Sequence, residues 1–478
     1  MRASLLTLAL ASLMALPAAA QDPDPAPAPE PAGQDAPRQA DEPRPTDDAT
    51  EPEALQAEPD APADPAGAVR DGAEDASPVS TVPLDEISRF VLVFNAVRAG
   101  HVDEVDDREL MRSAIRGLLL DLDPHSAYLE RNDAEAFEEG ATGAYEGIGV
   151  EVMQLPDGRM RVVSPMDGSP AQRAGILAGD LIIAVDGKPL TPESHEGRGP
   201  LRGPPGTRVT VTVLREGAAE PLELSVARDV IRTPSVRGSI REPGFGYVRI
   251  AGFQADTAAD FASTVDGLHA EAGAGGLRGL LVDLRSNPGG LLTAAVQIAD
   301  DLLERGGIVS TRGRMRVGDT SFSATPGDRM RGRPVVVLVD AGSASASEVL
   351  AGALGDNGRA CLVGSRTFGK GSVQTLMPLD NGDAVKLTTA RYYTPDGTSI
   401  QARGIEPDVV IDGKGGPGPG TGEAALPGHL AADGEDAGPG DVLVGDEPVK
   451  AALAVLRRLA DGGACALPEA PPAGDAAQ

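Results

Sequence analysis

The sequence predicts a multidomain α/β protein: a helical N-terminal arm, a small mostly β domain, and an α/β core with helices covering a mixed sheet. Three observations carry this. Apolar residues recur at helical spacing from Ile87 to Leu119. Short β-branched runs broken by Gly and Pro fill residues 143–228. From 229 to 412, strand-like and helix-like segments alternate, as in a sheet covered by helices. At 478 residues, more than one domain is expected.

Residues 1–20 read as a secretory signal: Arg2, an apolar run from Leu5 to Leu16, then Ala18-Ala19-Ala20, with cleavage after Ala20. The apolar run is too short for a membrane span. Export is therefore expected, to the periplasm or an equivalent space, as a soluble mature protein. Residues 21–80 hold 16 acids against Arg38, Arg44 and Arg70, with scarcely an apolar side chain. Such a segment buries nothing and reads as a disordered linker. Residues 84–140 form the helical region. Ile87, Phe90, Val91, Phe94 and Val97 mark one helix; Leu110, Met111, Ile115, Leu118 and Leu119 mark a second, stopped by Asp123-Pro124. Residues 143–228 form the small β domain, with one helix-like insert at SPAQRAGI. In the core, runs such as LLV and VVVLV suit strands buried on both faces. Residues 413–448 return to Gly, Pro and acids and read as a second linker. Residues 449–478 read as a short helix and a tail.

The net charge is −30, from 72 acidic and 42 basic residues, which argues against nucleic-acid binding and against adhesion to anionic lipid. Two cysteines, Cys361 and Cys465, exclude a disulfide-dense scaffold and a four-cysteine zinc site.

Two Gly-rich strings carry candidate chemistry. Gly147-Ile148-Gly149 opens a strand with no helix behind it, so a dinucleotide fingerprint fails. A plain turn and a nest of N–H groups for a terminal carboxylate both remain open. Gly342-Ser343-Ala344-Ser345-Ala346-Ser347-Glu348 lies at a strand-to-helix turn. One of its serines is either a helix cap or a nucleophile beside N–H donors. None of the five histidines sits at a strand end of the core, so a Ser-His-Asp triad is poorly supported. The core has only Lys370 and Lys386 as lysines, and Lys370 is flanked by Gly369 and Gly371. A desolvated lysine can act as base, with Gln374 orienting the amine.

The strings FGKGSVQ and GSASASE, with LDPHSAYL, EGIGVEV, SPAQRAG, LRGPPGT, LLVDLRSNPGG, DNGRA and LTTARYYTPDGTSIQARGIEPDVVI in order, resemble the carboxyl-terminal processing (tail-specific) serine peptidases. The resemblance spans about residues 84–412. It implies a Ser-Lys endopeptidase that recognises protein C-termini through a PDZ domain at 143–228 and cleaves from the core at 229–412. Ser345 takes the nucleophile, Lys370 the base and Gln374 the orienting role. The oxyanion donors are the N–H of Ala346 and one from Gly289 or Gly290. Gly147, Ile148 and Gly149 fall in the carboxylate-binding turn, and Arg202 in the position that couples the PDZ domain to the active state. The resemblance implies protein or peptide substrates with exposed C-termini, an adaptor lipoprotein and a homodimer as partners, and no metal or cofactor. The run between Asp186 and Arg202 departs from the family: Pro and Gly interrupt the helix that walls the peptide groove, leaving peptide binding there open.

Overall fold

A computed structural model describes residues 83–195, 199–314, 319–413 and 422–468. The expected signal peptide, the expected 21–80 linker, part of the expected second linker and the end of the tail lie outside the described residues.

The chain opens with α1 (Leu84–Gly100) and α2 (Asp107–Leu120), the latter capped by Asp106, whose side chain accepts the N–H groups of Arg108 and Glu109. α1 buries none of its residues, and Leu84, Leu92 and Val93 are well exposed. Strand β1 (Ala127–Leu129) and helix α3 (Arg131–Thr142) complete this region.

Next come β2 (Ala144–Gly147), β3 (Val150–Gln154), β4 (Met160–Pro165), α4 (Pro170–Arg173), β5 (Leu181–Val185), β6 (Lys188–Pro189), β7 (Arg208–Leu214), β8 (Leu222–Ala227) and β9 (Asp229–Arg232). β3, β4, β5, β7 and β8 form an antiparallel sheet in that order, with β6 on β5. In β7 the valines 209, 211 and 213 alternate inward with period two and pack on Ile148, Met160, Val162 and Ile182. β2 pairs with β9 where the chain enters and leaves this domain. The helix-like SPAQRAGI is a four-residue helix, and a short 3-10 turn, Pro192–His195, occupies the interrupted stretch.

The core contains β10 (Val236–Glu242), β11 (Phe245–Ile250), α5 (Thr257–Glu271), β12 (Gly279–Asp283), α6 (Leu292–Leu302), β13 (Gly307–Gly313), β14 (Thr320–Ser323), β15 (Val335–Val339), α7 (Ala346–Asp356), β16 (Ala360–Gly364), β17 (Ser372–Pro378), β18 (Ala384–Tyr393), β19 (Val409–Val410) and α8 (Glu447–Ala460). One sheet runs β10-β11-β12-β15-β16-β19, antiparallel at its first pair and parallel thereafter. Leu280, Val282, Val335 and Val337 point to α5, α6 and α7; Leu281, Val336 and Leu338 point to α8. Both faces are covered, which is why these strands read as unbroken apolar runs. Each such side chain contributes about 1.5–3 kcal/mol on burial. A second, antiparallel sheet joins β1, β18, β13 and β14, with β17 on β18.

The C-terminal part differs from the expected linker and tail. Within 422–448, Glu423 and Leu443 are buried. The acids here act as acceptors: Asp441 takes the Gly413 N–H at 2.9 Å, and Asp436 takes the Ala432 N–H at 3.1 Å. Composition does not distinguish an acid in water from one satisfying a loop. Cys465, beyond α8, forms a disulfide with Cys361 in β16 across 104 residues. The sequence reading did not pair them, since nothing local joins positions so far apart.

Candidate active site

β15 ends at Val339, and the turn to α7 is built around the fully buried Asp340. One carboxylate oxygen accepts the N–H groups of Ser286 (2.7 Å) and Gly342 (2.9 Å), and the other accepts that of Leu443 (3.1 Å). The three serines that follow separate by geometry. Ser343 Oγ donates to the Leu284 carbonyl at 2.9 Å, and Ser347 Oγ to the Asn287 carbonyl at 3.0 Å; both are fully buried. Ser345 instead retains some exposure, and its φ of 55° with ψ of −114° is a strained conformation for a non-glycine residue. It stands immediately before α7, where the first helical N–H groups lack intrahelical partners.

Opposite it lies the loop after β12. Asn287, fully buried, donates its amide to the Ile250 carbonyl and accepts the Gly289 N–H at 2.9 Å. At Gly289, φ is 101°, and a Cβ would stand 2.8 Å from Ser345 Cβ and 3.0 Å from Ala346 N. Only glycine lets this loop approach Ser345 so closely. Ala344 N–H closes the turn onto the Asn287 carbonyl at 2.9 Å.

Glu348 joins this turn to the loop carrying Lys370. Fully buried, it accepts the N–H groups of Ser345 (2.7 Å), Gly369 (2.7 Å) and Lys370 (2.9 Å) and the Thr367 hydroxyl (2.5 Å). Burial pushes its carboxyl up to about 7 against the pull of those four bonds. Burial also pushes the Lys370 amine below its ordinary range, helped by repulsion from Lys386; Glu423, Glu348 and Asp123 oppose the shift. Gln374, on β17, donates to Ser372 Oγ (3.0 Å) and Thr388 Oγ1 (3.4 Å). Among the described residues no hydrogen bond joins Lys370 Nζ to Ser345 or Gln374. Ser345, Lys370, Ala346, Gly289 and Gly290 thus belong to one neighbourhood, with Gln374 turned to other partners.

Gly147, Ile148, Gly149 and Arg202 line a separate groove of about 320 Å³ in the small β domain, with Val152, Met160 and Leu201 among its apolar walls. The Arg202 guanidinium lies 4.0 Å over the Tyr145 ring and pairs with Glu139 of α3 at 2.7 Å. Leu201, from the stretch that departs from the expected helix, is one of those walls.

Sequence reasoning missed Glu348, Asn287, Glu423 and His125 as parts of this site. Glu348 had a signal: Ser-x-x-Glu before an apolar run is a capping-box pattern. His125 precedes the core in sequence, yet its Nε2 lies 2.8 Å from Glu423, whose N–H donates to the Phe368 carbonyl. Among the described residues one group has metal-ligand types in reach of one another, Cys361, Asp408 and Cys465, and both sulfurs are in the disulfide.

Comparisons with known proteins agree with this architecture. Residues 244–411 match the model of peptidase family S41, and 161–215 that of a PDZ domain. A carboxy-terminal-processing protease of Bartonella bacilliformis is 42% identical over 328 residues, covering 68% of this chain and 75% of that protein. The carboxy-terminal processing protease CtpA of Bacillus subtilis is 35% identical over 321 residues, 67% of each chain. A solved photosystem II D1 C-terminal processing protease is 32% identical and covers 69% of this chain and 94% of that one, with a TM-score of 0.39. With the small β domain and the buried serine turn on a parallel sheet, the family-model matches and the Bartonella and Bacillus relatives give the family: the chain belongs to the carboxy-terminal-processing serine proteases of peptidase family S41.

Proposed function

We propose that the protein is an exported endopeptidase that takes substrates by a free C-terminus and cleaves them through an acyl-enzyme on Ser345, with Lys370 as base. One observation carries this reading: Ser345 and Lys370 hang from the same buried carboxylate, Glu348, while burial disfavours the charged amine. Neutral Lys370 Nζ accepts the Ser345 hydroxyl proton as Oγ attacks the peptide carbonyl carbon. The leaving amine takes that proton, and water then hydrolyses the ester with Lys370 again as base. Gln374 exchanges its present partners to orient the amine.

The oxyanion lies between the N–H of Ala346, at the start of α7, and that of Gly290. Gly290 is preferred over Gly289 because the Gly289 N–H is already donated to Asn287 Oδ1. In the PDZ groove, the Gly147–Gly149 turn receives the terminal carboxylate and Val152, Met160 and Leu201 receive apolar side chains. Arg202, tied to Glu139 of α3, links the groove to the helical N-terminal region.

The signal-like N-terminus supports export to the periplasm or its equivalent, as does a disulfide, which persists in oxidising compartments. The exposed apolar side chains of α1 support a homodimer. The family resemblance adds an adaptor lipoprotein as a partner.

The test is hydrolysis of a fluorogenic peptide ending in small apolar residues, by wild type and by Ser345→Ala, Ser343→Ala and Ser347→Ala. Only Ser345→Ala is expected to lose all activity with an unchanged fold. An active Ser345→Ala removes the assignment.

A further inference from the structure

Glu423 lies 12 residues beyond the end of the family-model match, in a stretch whose composition reads as linker. Its side chain is nonetheless fully buried. Its carboxylate oxygens lie 3.0 and 2.8 Å from His125 Nε2, and one of them accepts the Gln401 amide at 2.9 Å. The pair it forms with Gln401 reaches the main chain on both sides of Lys370. Glu423 N–H donates to the Phe368 carbonyl at 2.8 Å, and Gln401 Oε1 accepts the Gly371 N–H at 3.1 Å. His125 is fixed in turn by its own N–H, which donates to Asp123 Oδ1 at 2.9 Å; Thr388, beside Gln374, donates to the same oxygen at 3.0 Å.

We propose that Glu423, held between His125 and Gln401, is a positioning residue that fixes the loop around Lys370 and sets the acid limit of the peptidase. The inference rests on the reading of Lys370 as the base. A buried carboxylate near the amine favours the ammonium form, which cannot accept a proton. The charged groups facing the amine are Lys386 from β18, Glu348 from α7, Asp123 from the loop after α2, and Glu423. Burial and Lys386 work toward the neutral amine, and the three carboxylates work against it. Glu423 is itself faced by His125 and, more remotely, by His429. By donating to Glu423, His125 draws the carboxylate's charge away from the amine. The arrangement balances two needs: a carboxylate to hold the loop, and a partner to limit its effect on the base.

The experiment is the pH dependence of kcat/KM for the full mature chain, with a fluorogenic peptide ending in a free carboxylate. Glu423→Gln keeps shape and removes charge, so the acid limb moves to lower pH by on the order of one unit. His125→Phe removes the donor and leaves the charge less compensated, so the limb moves to higher pH. A residue that merely held the loop lowers the rate at all pH values and leaves the limb where it was. An unmoved limb in Glu423→Gln, or a shift of the same sign in both variants, overturns the proposal. If Glu423→Gln fails to fold, as judged by its thermal transition, His125→Phe decides alone: an upward shift supports the proposal and no shift overturns it. Lys370→Met separates the two layers. Activity in Lys370→Met removes Lys370 as base, whereas an inactive Lys370→Met with an unmoved Glu423→Gln limb removes only the present proposal.

Discussion

Glu348 Oε2 accepts the backbone N–H of Lys370 at 2.9 Å, and the same oxygen accepts that of Ser345 at 2.7 Å. Two segments 25 residues apart are thereby registered by one atom rather than by a contact between their side chains. Glu348→Ala would leave those N–H groups and that of Gly369 without their buried acceptor, each costing about 1–3 kcal/mol. The expected outcome is loss of turnover together with a lower denaturation midpoint in urea.

The protonation of Glu348 also affects stability. Its folded value, about 7, lies above the ordinary 4.5, so the folded state holds the proton more tightly than the unfolded chain. The stabilisation this group contributes is full below the unfolded value and is lost as pH rises through about 7. Glu348→Gln cannot titrate. The difference in unfolding free energy between wild type and Glu348→Gln should therefore change across that window, with wild type losing relative stability toward alkaline pH. Urea titrations at several pH values measure it.

Lys370 is shifted downward, and the sign is opposite. The unfolded chain holds its proton more tightly, so this side chain destabilises the fold most below its folded value, and that cost fades as pH rises. Lys370→Met fills the same space without an amine. It should melt at a higher temperature than wild type near neutral pH while hydrolysing nothing, a trade of stability against activity. Lys370→Arg keeps a charge that does not dissociate and should be equally inactive. Calorimetry and peptide hydrolysis on the same samples check both statements.

Gly289→Ala would place a methyl carbon 2.8 Å from Ser345 Cβ and 2.8 Å from the Ala344 carbonyl oxygen, at a φ of 101° that disfavours side chains. Turnover should fall by at least tenfold even where the melting temperature shifts little, because the displaced atoms are those beside the hydroxyl. Comparing kcat with the thermal midpoint separates the two effects.

Amidating the substrate's C-terminus should raise KM more than it lowers kcat, since it removes the charge that the Gly147–Gly149 turn is proposed to receive. Equal kinetics for free and amidated peptides would count against a carboxylate nest in that groove. Arg202→Ala gives up an ion pair that is partly exposed and worth no more than about 1 kcal/mol. It also loses the stack on Tyr145. Its effect should appear in turnover of long substrates rather than in melting temperature.

Much of this molecule was legible in its sequence because the signals were local. Val209, Val211 and Val213 announce a half-buried strand by period, and the unbroken VVVLV announces one covered on both faces. FGKGSVQ and GSASASE carried the candidate site as strings. What was not legible depends on pairings that no window spans. Glu423 resembles any linker acid until His125, 298 residues away, and Gln401 close over it. The serines of GSASASE have the same sequence character; what separates them is which carbonyl each hydroxyl meets, and that is set by the 284–289 loop.

The disulfide and the strap before it, residues 422–443, come late in chain order. Asp441 carbonyl accepts the Ala341 N–H, and Leu443 N–H donates to Asp340, so the turn bearing Ser345 is completed by residues made about a hundred positions later. A nascent chain that has passed residue 411 already contains Ser345, Lys370 and Gln374, yet lacks the strap, α8 and the cysteine that fastens them. While the protein is being synthesised, the three candidate site residues therefore exist before the segments that complete the turn beside them. The bond between Cys361 and Cys465 can form only after residue 465 has been made, and only where thiols are oxidised.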